Sequence, residues 1–155
     1  AQNDSQRQEM WARREAAAEV MIQYQNRVDT DIALPLDAVA AFLAEMDGIL
    51  PDLDPGATHS EVAHLGDGNI HYSVICSRND TALKDRIMER IEDVVVAMGG
   101  SFSAEHGIGV SKLPSMARRK DPVAIAVMRQ VKAALDPMGI LNPGKVVPEE
   151  AGKAG

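Results

Sequence analysis

Asp67-Gly68 stands between two strand-like runs, Glu61–Leu65 and Ile70–Cys76, in the second of which Val74 and Cys76 alternate with Ser73 and Ile75. Such a dipeptide supports a two-residue type I′ turn, because both positions tolerate positive φ. With the turn centred there, Gly66 is expected opposite Asn69, Leu65 opposite Ile70 and His64 opposite His71. Directly opposed residues share a face of the hairpin, with Cβ atoms ~5 Å apart. Two imidazoles so placed can close on one metal ion. A second cluster, SFSAEHGIG over Ser101–Gly109, supplies an acid and a further imidazole in Glu105 and His106. Its small residues, Ser103, Ala104, Gly107 and Gly109, leave backbone open to a ligand. Two histidines beside a turn are an ordinary surface feature; a second acid–imidazole pair in the same short chain makes a site the better reading.

Composition narrows the classes. The 155 residues suit one domain or a piece of a longer chain, and 45% hydrophobic content is enough for a core. A net charge of −7 and only 3% aromatics argue against a nucleic-acid partner, which needs a basic face and stacking surfaces. No apolar run approaches the ~20 residues of a membrane span. The lone Cys76 excludes a disulfide framework and fits a reducing compartment, so a cytoplasmic protein is expected, with peripheral association at the inner membrane left open. Ala1–Gln8 is polar, without the apolar stretch of a signal peptide. The absence of an initiator Met suggests a chain cut from something longer.

Apolar spacing places a helix over Glu9–Gln25, with Met10, Trp11, Ala17, Ala18, Met21 and Ile22 on one stripe and Arg13 and Arg14 beside or off it. A short strand is expected over Asp31–Pro35, then a helix over Leu36–Ile49 burying Leu36, Val39, Ala40, Leu43 and Met46. Pro51–Thr58 reads as a loop. After the hairpin, Asn79-Asp80 opens a helix with Leu83, Ile87, Ile91, Val94 and Met98 at helical spacing, ended by Gly99-Gly100. Ser101–Ala104 reads as a strand that delivers Glu105-His106. Lys112–Lys120 is a basic stretch, a solvated loop or a contact for an anion. Asp121-Pro122 caps a last helix to about Leu135, with Val123, Val127, Val131 and Leu135 on one side. The order implies an α+β fold, an antiparallel sheet covered by helices, with a helical C-terminal segment.

A metal held by His64, His71 and Glu105 would keep open positions, and that donor set suits zinc, manganese or iron. Such an ion polarises a substrate oxygen, and His106 beside it could take a proton near neutral pH. Oxidation of a 2-hydroxy acid fits these parts but needs a hydride acceptor. The chain has no glycine-rich dinucleotide fingerprint, and GIGVSK over Gly107–Lys112 lacks its spacing.

HLGDGNIH (His64–His71), SAEHGIG (Ser103–Gly109) and LDPMGILNPGK (Leu135–Lys145) resemble the C-terminal part of FAD-linked oxidases of the vanillyl-alcohol-oxidase fold. These include D-lactate dehydrogenases, the flavin subunit of glycolate oxidase and D-2-hydroxyglutarate dehydrogenases. WARREAAAEV (Trp11–Val20) and DIALPLDAVAAFL (Asp31–Leu43) resemble the cap region of the same family. The resemblance implies that residues 1–110 are the later part of a substrate-binding cap and 111–148 a helical segment returning to the flavin. Residues 149–155 would be a disordered tail, and the FAD-binding domain would lie outside this chain. It implies further that His64, His71 and Glu105 hold a divalent metal, zinc or manganese, and that His106 is the active-site base beside the flavin. Asn142, with Glu105 and His106, would lie on the flavin side. Arg14 matches an arginine that grips a substrate carboxylate in some members; a surface arginine is the alternative. Ser73 stands where the hydroxyglutarate branch has Asn, and Asp29 where it has Lys, so a small D-2-hydroxy acid of the lactate or glycolate kind is the expected substrate. The expected partners are that acid and an FAD domain of the same full-length chain, with a homodimer left open. The rivals are a metal- or ligand-binding module without redox activity and a structural domain whose histidines are incidental.

Overall fold

The computed structural model describes residues 1–148; for residues 17–22 it describes the helix but not the side chains. The expected tail over 149–155 lies outside the described residues. The fold is α+β, with five α-helices and a four-stranded antiparallel sheet among the described residues.

Strand β4 (Asn69–Ile75) is the centre of the sheet. Strand β3 (Thr58–His64) pairs along its whole length, and β1 (Arg27–Asp29) and β2 (Ile32–Ala33) pair with it in turn. Arg27 lies opposite Ile75 and Ile32 opposite Ile70, so β1 and β2 hold one register, interrupted at Thr30-Asp31. Continued through the gap, that register sets Asp31 opposite His71. Only β2 falls within the expected Asp31–Pro35 strand; β1 was not anticipated.

Alternation along β4 divides the sheet into two faces. Ile70, Tyr72 and Val74 are buried with Phe42, Met46 and Leu50 of α2 (Val39–Leu53) and Leu83, Ile87, Ile91, Val94 and Val95 of α3 (Thr81–Ala97). Phe42 meets Tyr72 edge to face at 5.4 Å. Each such side chain contributes about 1.5–3 kcal/mol by leaving water, so this layer holds the sheet in place. His71 and Ser73 point the other way, onto the face that carries the site.

The hairpin differs from its expected register. A four-residue connection, Leu65–Gly68, replaces the two-residue turn, and His64 lies opposite Asn69 while Val62 lies opposite His71. Asp67 N donates to His64 O at 3.2 Å, and of Asp67 and Gly68 only Gly68 has positive φ. A turn followed by one left-handed residue therefore closes the hairpin. The slip moves the pairing by two residues, so His64 and His71 stay on one face as diagonal neighbours; a slip of one would have separated them.

Helix α1 runs Asp4–Ile22, starting earlier than expected; Asn3 Oδ1 accepts from Gln6 N at 2.9 Å, as an N-cap side chain does. Its Met10 and Trp11 are exposed, so the described part of the expected stripe is not buried; the side chains of Ala17, Ala18, Met21 and Ile22 lie outside the described residues. Leu36–Ala38 is a 3-10 turn ahead of α2, and its tighter repeat takes Leu36 out of phase, leaving it exposed. The buried α2 face is therefore Phe42, Met46 and Leu50, with Val39 and Leu43 only partly covered and Ala40 exposed. Pro51 sits in the last turn of α2, so the following loop is shorter than expected.

Helix α3 begins as anticipated, with Asp80 accepting from Leu83 N, and Gly99 follows it at φ 76°. The expected strand over Ser101–Ala104 reduces to one bridge between Ser101 and Ala33. The basic stretch is not a loop: α4 (Leu113–Arg119) lays Arg118 and Arg119 against the buried Glu92, at 3.2 and 3.3 Å. Arg119 also reaches Asp93 at 2.7 Å, so these cations are committed to α3. Helix α5 spans Pro122–Leu135, with Asp121 accepting from Ala124 N. Its buried apolar residue is Ile125, while Val123, Val127, Val131 and Leu135 are exposed.

Candidate functional site

Three segments build the site. β3 and β4 set His64 and His71 on the open face, with ring centroids 5.6 Å apart and planes at 81°. The Thr30-Asp31 interruption turns a carboxylate toward the same place. The segment after α3 is tied to β2 through Ala33 and Ser101, and Ala104 N then donates to the Asp31 carbonyl at 3.0 Å. Glu105 and His106 follow directly.

Glu105 Oε1 is the meeting point. It lies 3.0 Å from His71 Nε2, 3.8 Å from His64 Nε2 and 3.7 Å from His106 Nε2. The His71 and His106 rings stack at 5.2 Å with 19° between their planes. Asp31, His71, Glu105 and His106 each offer an atom within 4.8 Å of the others. Tetrahedral zinc with bonds near 2.0–2.1 Å sets its ligands about 3.4 Å apart, close to the spacings around Glu105. A nitrogen and oxygen donor set also suits manganese, so the residues fit a divalent cation. His106 comes at least as close to Glu105 as His64 does, so it can serve as a donor to an ion or as a free base beside one.

Asp31 has a different part. It is 2% exposed, and its carboxylate accepts from His106 N at 2.9 Å, from Glu105 N, from Ala104 N and from Lys112 Nζ at 2.9 Å. Asn69 Nδ2 adds a contact at 3.3 Å. Burial alone would raise its pKa, but the His106 N–H, the Lys112 ammonium and the Glu105 N–H outweigh that and hold the carboxyl well below the usual range. With both oxygens occupied, Asp31 anchors the Glu105-His106 segment rather than offering itself to a ligand. Lys112 also donates to Ser103 Oγ at 2.7 Å, closing the segment on itself.

Neither Asp31 nor Lys112 was singled out from sequence as a site residue. An acid opening a strand reads as a turn residue, and a lysine in a basic run reads as solvated. Only the spacing of Asp31 from Thr30 and Ile32 in a strand that resumes after it could have hinted at an inward carboxylate.

Arg14 lines a cavity of about 650 Å³ together with His71, His106 and Lys112. No ion pair joins Arg14 to the described residues. Asn142, at φ 48°, lines a separate cavity of about 520 Å³ with Arg129, Lys132 and Lys145. Arg14 thus shares a space with the His71 and His106 imidazoles, and Asn142 does not.

An imidazole–carboxylate cluster on the open face of a helix-backed antiparallel sheet defines a class of small-ligand site with acid–base or metal chemistry. The family is then shown by comparison. The chain belongs to the FAD linked oxidases, C-terminal domain, whose family model matches residues 1–146. It is 36% identical over 143 residues to D-2-hydroxyglutarate dehydrogenase, mitochondrial, of Bos taurus, covering 92% of this chain and 26% of the relative. It is 34% identical over 151 residues to D-2-hydroxyglutarate dehydrogenase of Xanthomonas citri pv. viticola, covering 94% and 32%. With a probable D-lactate dehydrogenase, mitochondrial, of Danio rerio it shares 33% identity over 153 residues, covering 95% and 30%. The chain therefore spans roughly a quarter to a third of the length of these relatives. No described helix is long and apolar enough to cross a membrane.

Proposed function

We propose that this chain is the substrate-handling part of an FAD-dependent dehydrogenase that oxidises a D-2-hydroxy acid to the 2-oxo acid. In this reading residues 1–110 belong to the cap, 111–148 return toward the flavin, and an FAD-binding domain of the same full-length protein is the partner. The observation that carries the reading is the convergence of three imidazoles on Glu105 Oε1. The names of the matched relatives support the substrate class.

His64, His71 and Glu105 would hold a divalent metal, zinc or manganese, which when bound polarises the substrate hydroxyl and carboxylate oxygens. FAD, held by the partner domain, would supply the hydride acceptor. Arg14 pairs with the substrate carboxylate, for which a guanidinium fork is suited. His106 takes the hydroxyl proton, while the α-hydrogen leaves with its electron pair. Asp31 Oδ2, 3.7 Å from His106 Nδ1, faces the imidazolium that results. Asn142 lines its own cavity in the C-terminal segment, and in this reading that segment would meet the flavin from a side other than the imidazoles. A monocarboxylic acid of the lactate or glycolate kind is the proposed substrate.

Elemental analysis of the purified chain beside a His64→Ala/His71→Ala variant tests the centre. About one equivalent of zinc or manganese in the parent and none in the variant is expected; equal metal in both would remove these ligands from the reading. In this reading, residues 1–155 expressed without an FAD domain should not turn over a 2-hydroxy acid.

A further inference from the structure

Asn69 opens β4 on the same face as His71, two residues along. His64 of β3 lies opposite it on one side and Ala33 of β2 on the other, and the residue is 5% exposed. Its amide is oriented by a neighbour. Nδ2 donates to Asp31 Oδ1 at 3.3 Å, and because a carboxylate only accepts, the carbonyl end is the one that faces elsewhere. That Oδ1 is buried and has no donor among the described residues. A buried acceptor without a donor is costly, so its position calls for one.

The register identifies the donor. His64 is directly opposite Asn69, and directly opposed side chains share a face with Cβ atoms ~5 Å apart. His64 Nε2 faces Glu105 Oε1 at 3.8 Å, whereas its Nδ1 has no hydrogen-bond partner among the described residues. An imidazole that presents Nε2 to a cation carries its proton on Nδ1, and that N–H is normally given to a carboxylate, a carbonyl or water. His71 already has this arrangement, with Nε2 3.0 Å from Glu105 Oε1 and Nδ1 4.0 Å from Asp31 Oδ1. A ring nitrogen without an acceptor and an amide oxygen without a donor thus stand on one cross-strand pair. The other end of the same amide rests on the carboxylate oxygen behind His71.

We propose that Asn69 is a positioning residue for the metal centre: its Oδ1 accepts the Nδ1 proton of His64 when Nε2 faces the ion, and its Nδ2 steadies the Asp31 oxygen behind His71. This rests on the proposed metal ligands and adds the residue that fixes the tautomer of His64. The test uses the flavin-loaded full-length protein that contains this chain, with zinc as the probe and isotope-labelled histidine. Zinc affinity is measured by chelator competition. The histidine ring protons of the zinc-loaded protein are read by NMR, with His64→Gln assigning the His64 signal. In the parent the His64 Nδ1 proton should exchange slowly with solvent, although nearly half of that side chain is exposed. Asn69→Ala should weaken zinc about tenfold or more and put the His64 proton into fast exchange while the His71 Nδ1 proton stays slow. A general loss of stability would not separate the two rings in this way. Fast exchange of the His64 proton in the zinc-loaded parent overturns the proposal without any variant, and so does an Asn69→Ala protein with unchanged affinity and exchange; both leave the metal centre standing. A parent that binds no zinc overturns the metal centre itself, and the proposal with it.

Discussion

Asp31 gathers consecutive backbone N–H groups and an ammonium onto one buried carboxylate, and so holds the two residues on which the proposed chemistry depends. Replacing it with Asn would leave Lys112 without its counter-ion and turn an amide NH₂ toward N–H donors. Removing one member of a buried pair of this kind costs about 3–5 kcal/mol. Urea denaturation of Asp31→Asn should therefore show a loss of about 3 kcal/mol; a loss below about 1 kcal/mol would mean that water replaces the carboxylate. The imidazoles and Glu105 were legible as residues because histidine is rare in this chain and each has chemistry of its own. Asp31 was not, since a buried acid and a turn acid look the same in sequence, and only donors from residues far along the chain distinguish them.

The hairpin carries two of the proposed ligands, and its turn is docked rather than free. Gly68 O accepts from Leu34 N at 3.0 Å, and a Cβ on Gly68 would stand 2.0 Å from the Leu34 carbonyl oxygen. Its φ of 75° adds strain for any other residue. Gly68→Ala should thus lower stability by about 2 kcal/mol or more, through clash and strain together. Gly66→Ala, with nothing within 4 Å of the added carbon, should change it by less than about 0.5 kcal/mol. Thermal melts of both variants check the contrast, and equal effects would show that the turn is not seated on Leu34. That a hairpin lies here was readable from Asp-Gly between strand-like runs. Its register was not, because loop length depends on what the turn packs against. The helices show the same division. Leu83, Ile87 and Ile91 reached the core as their spacing implied, while the valines of α5 kept helical spacing and still lie exposed. Periodicity identifies an apolar side without saying what covers it.

Across the molecule, buried carboxylates tie separate elements together. Asp54, at the end of α2, accepts from Ser77 N and Ser77 Oγ beyond β4. Burial would raise its pKa, but the Ser77 and Gly56 donors more than offset this and lower it from the ordinary 3.8. The unfolded chain therefore takes up this proton first as pH falls. The stability supplied is complete above about pH 4 and is lost progressively as pH drops through the lower folded-state value. Acid titration followed by circular dichroism should show that loss, and Asp54→Asn should be less stable near neutrality yet flatter with pH. An unchanged slope would assign the acid sensitivity to other carboxylates, Asp31 first among them.

The contributors to the cluster, Asp31, His64, His71, Glu105 and Lys112, are scattered along the chain in three separate stretches. A ribosome that has released the hairpin has made two imidazoles and the anchoring acid, but neither Glu105 nor the lysine that closes the segment. The centre can therefore be completed only late in synthesis, and a nascent chain passes through a stage in which His64 and His71 are available without their acid. A metal held by all three proposed ligands can be held only after Glu105 has been made, and the segment that carries Glu105 closes only once Lys112 follows.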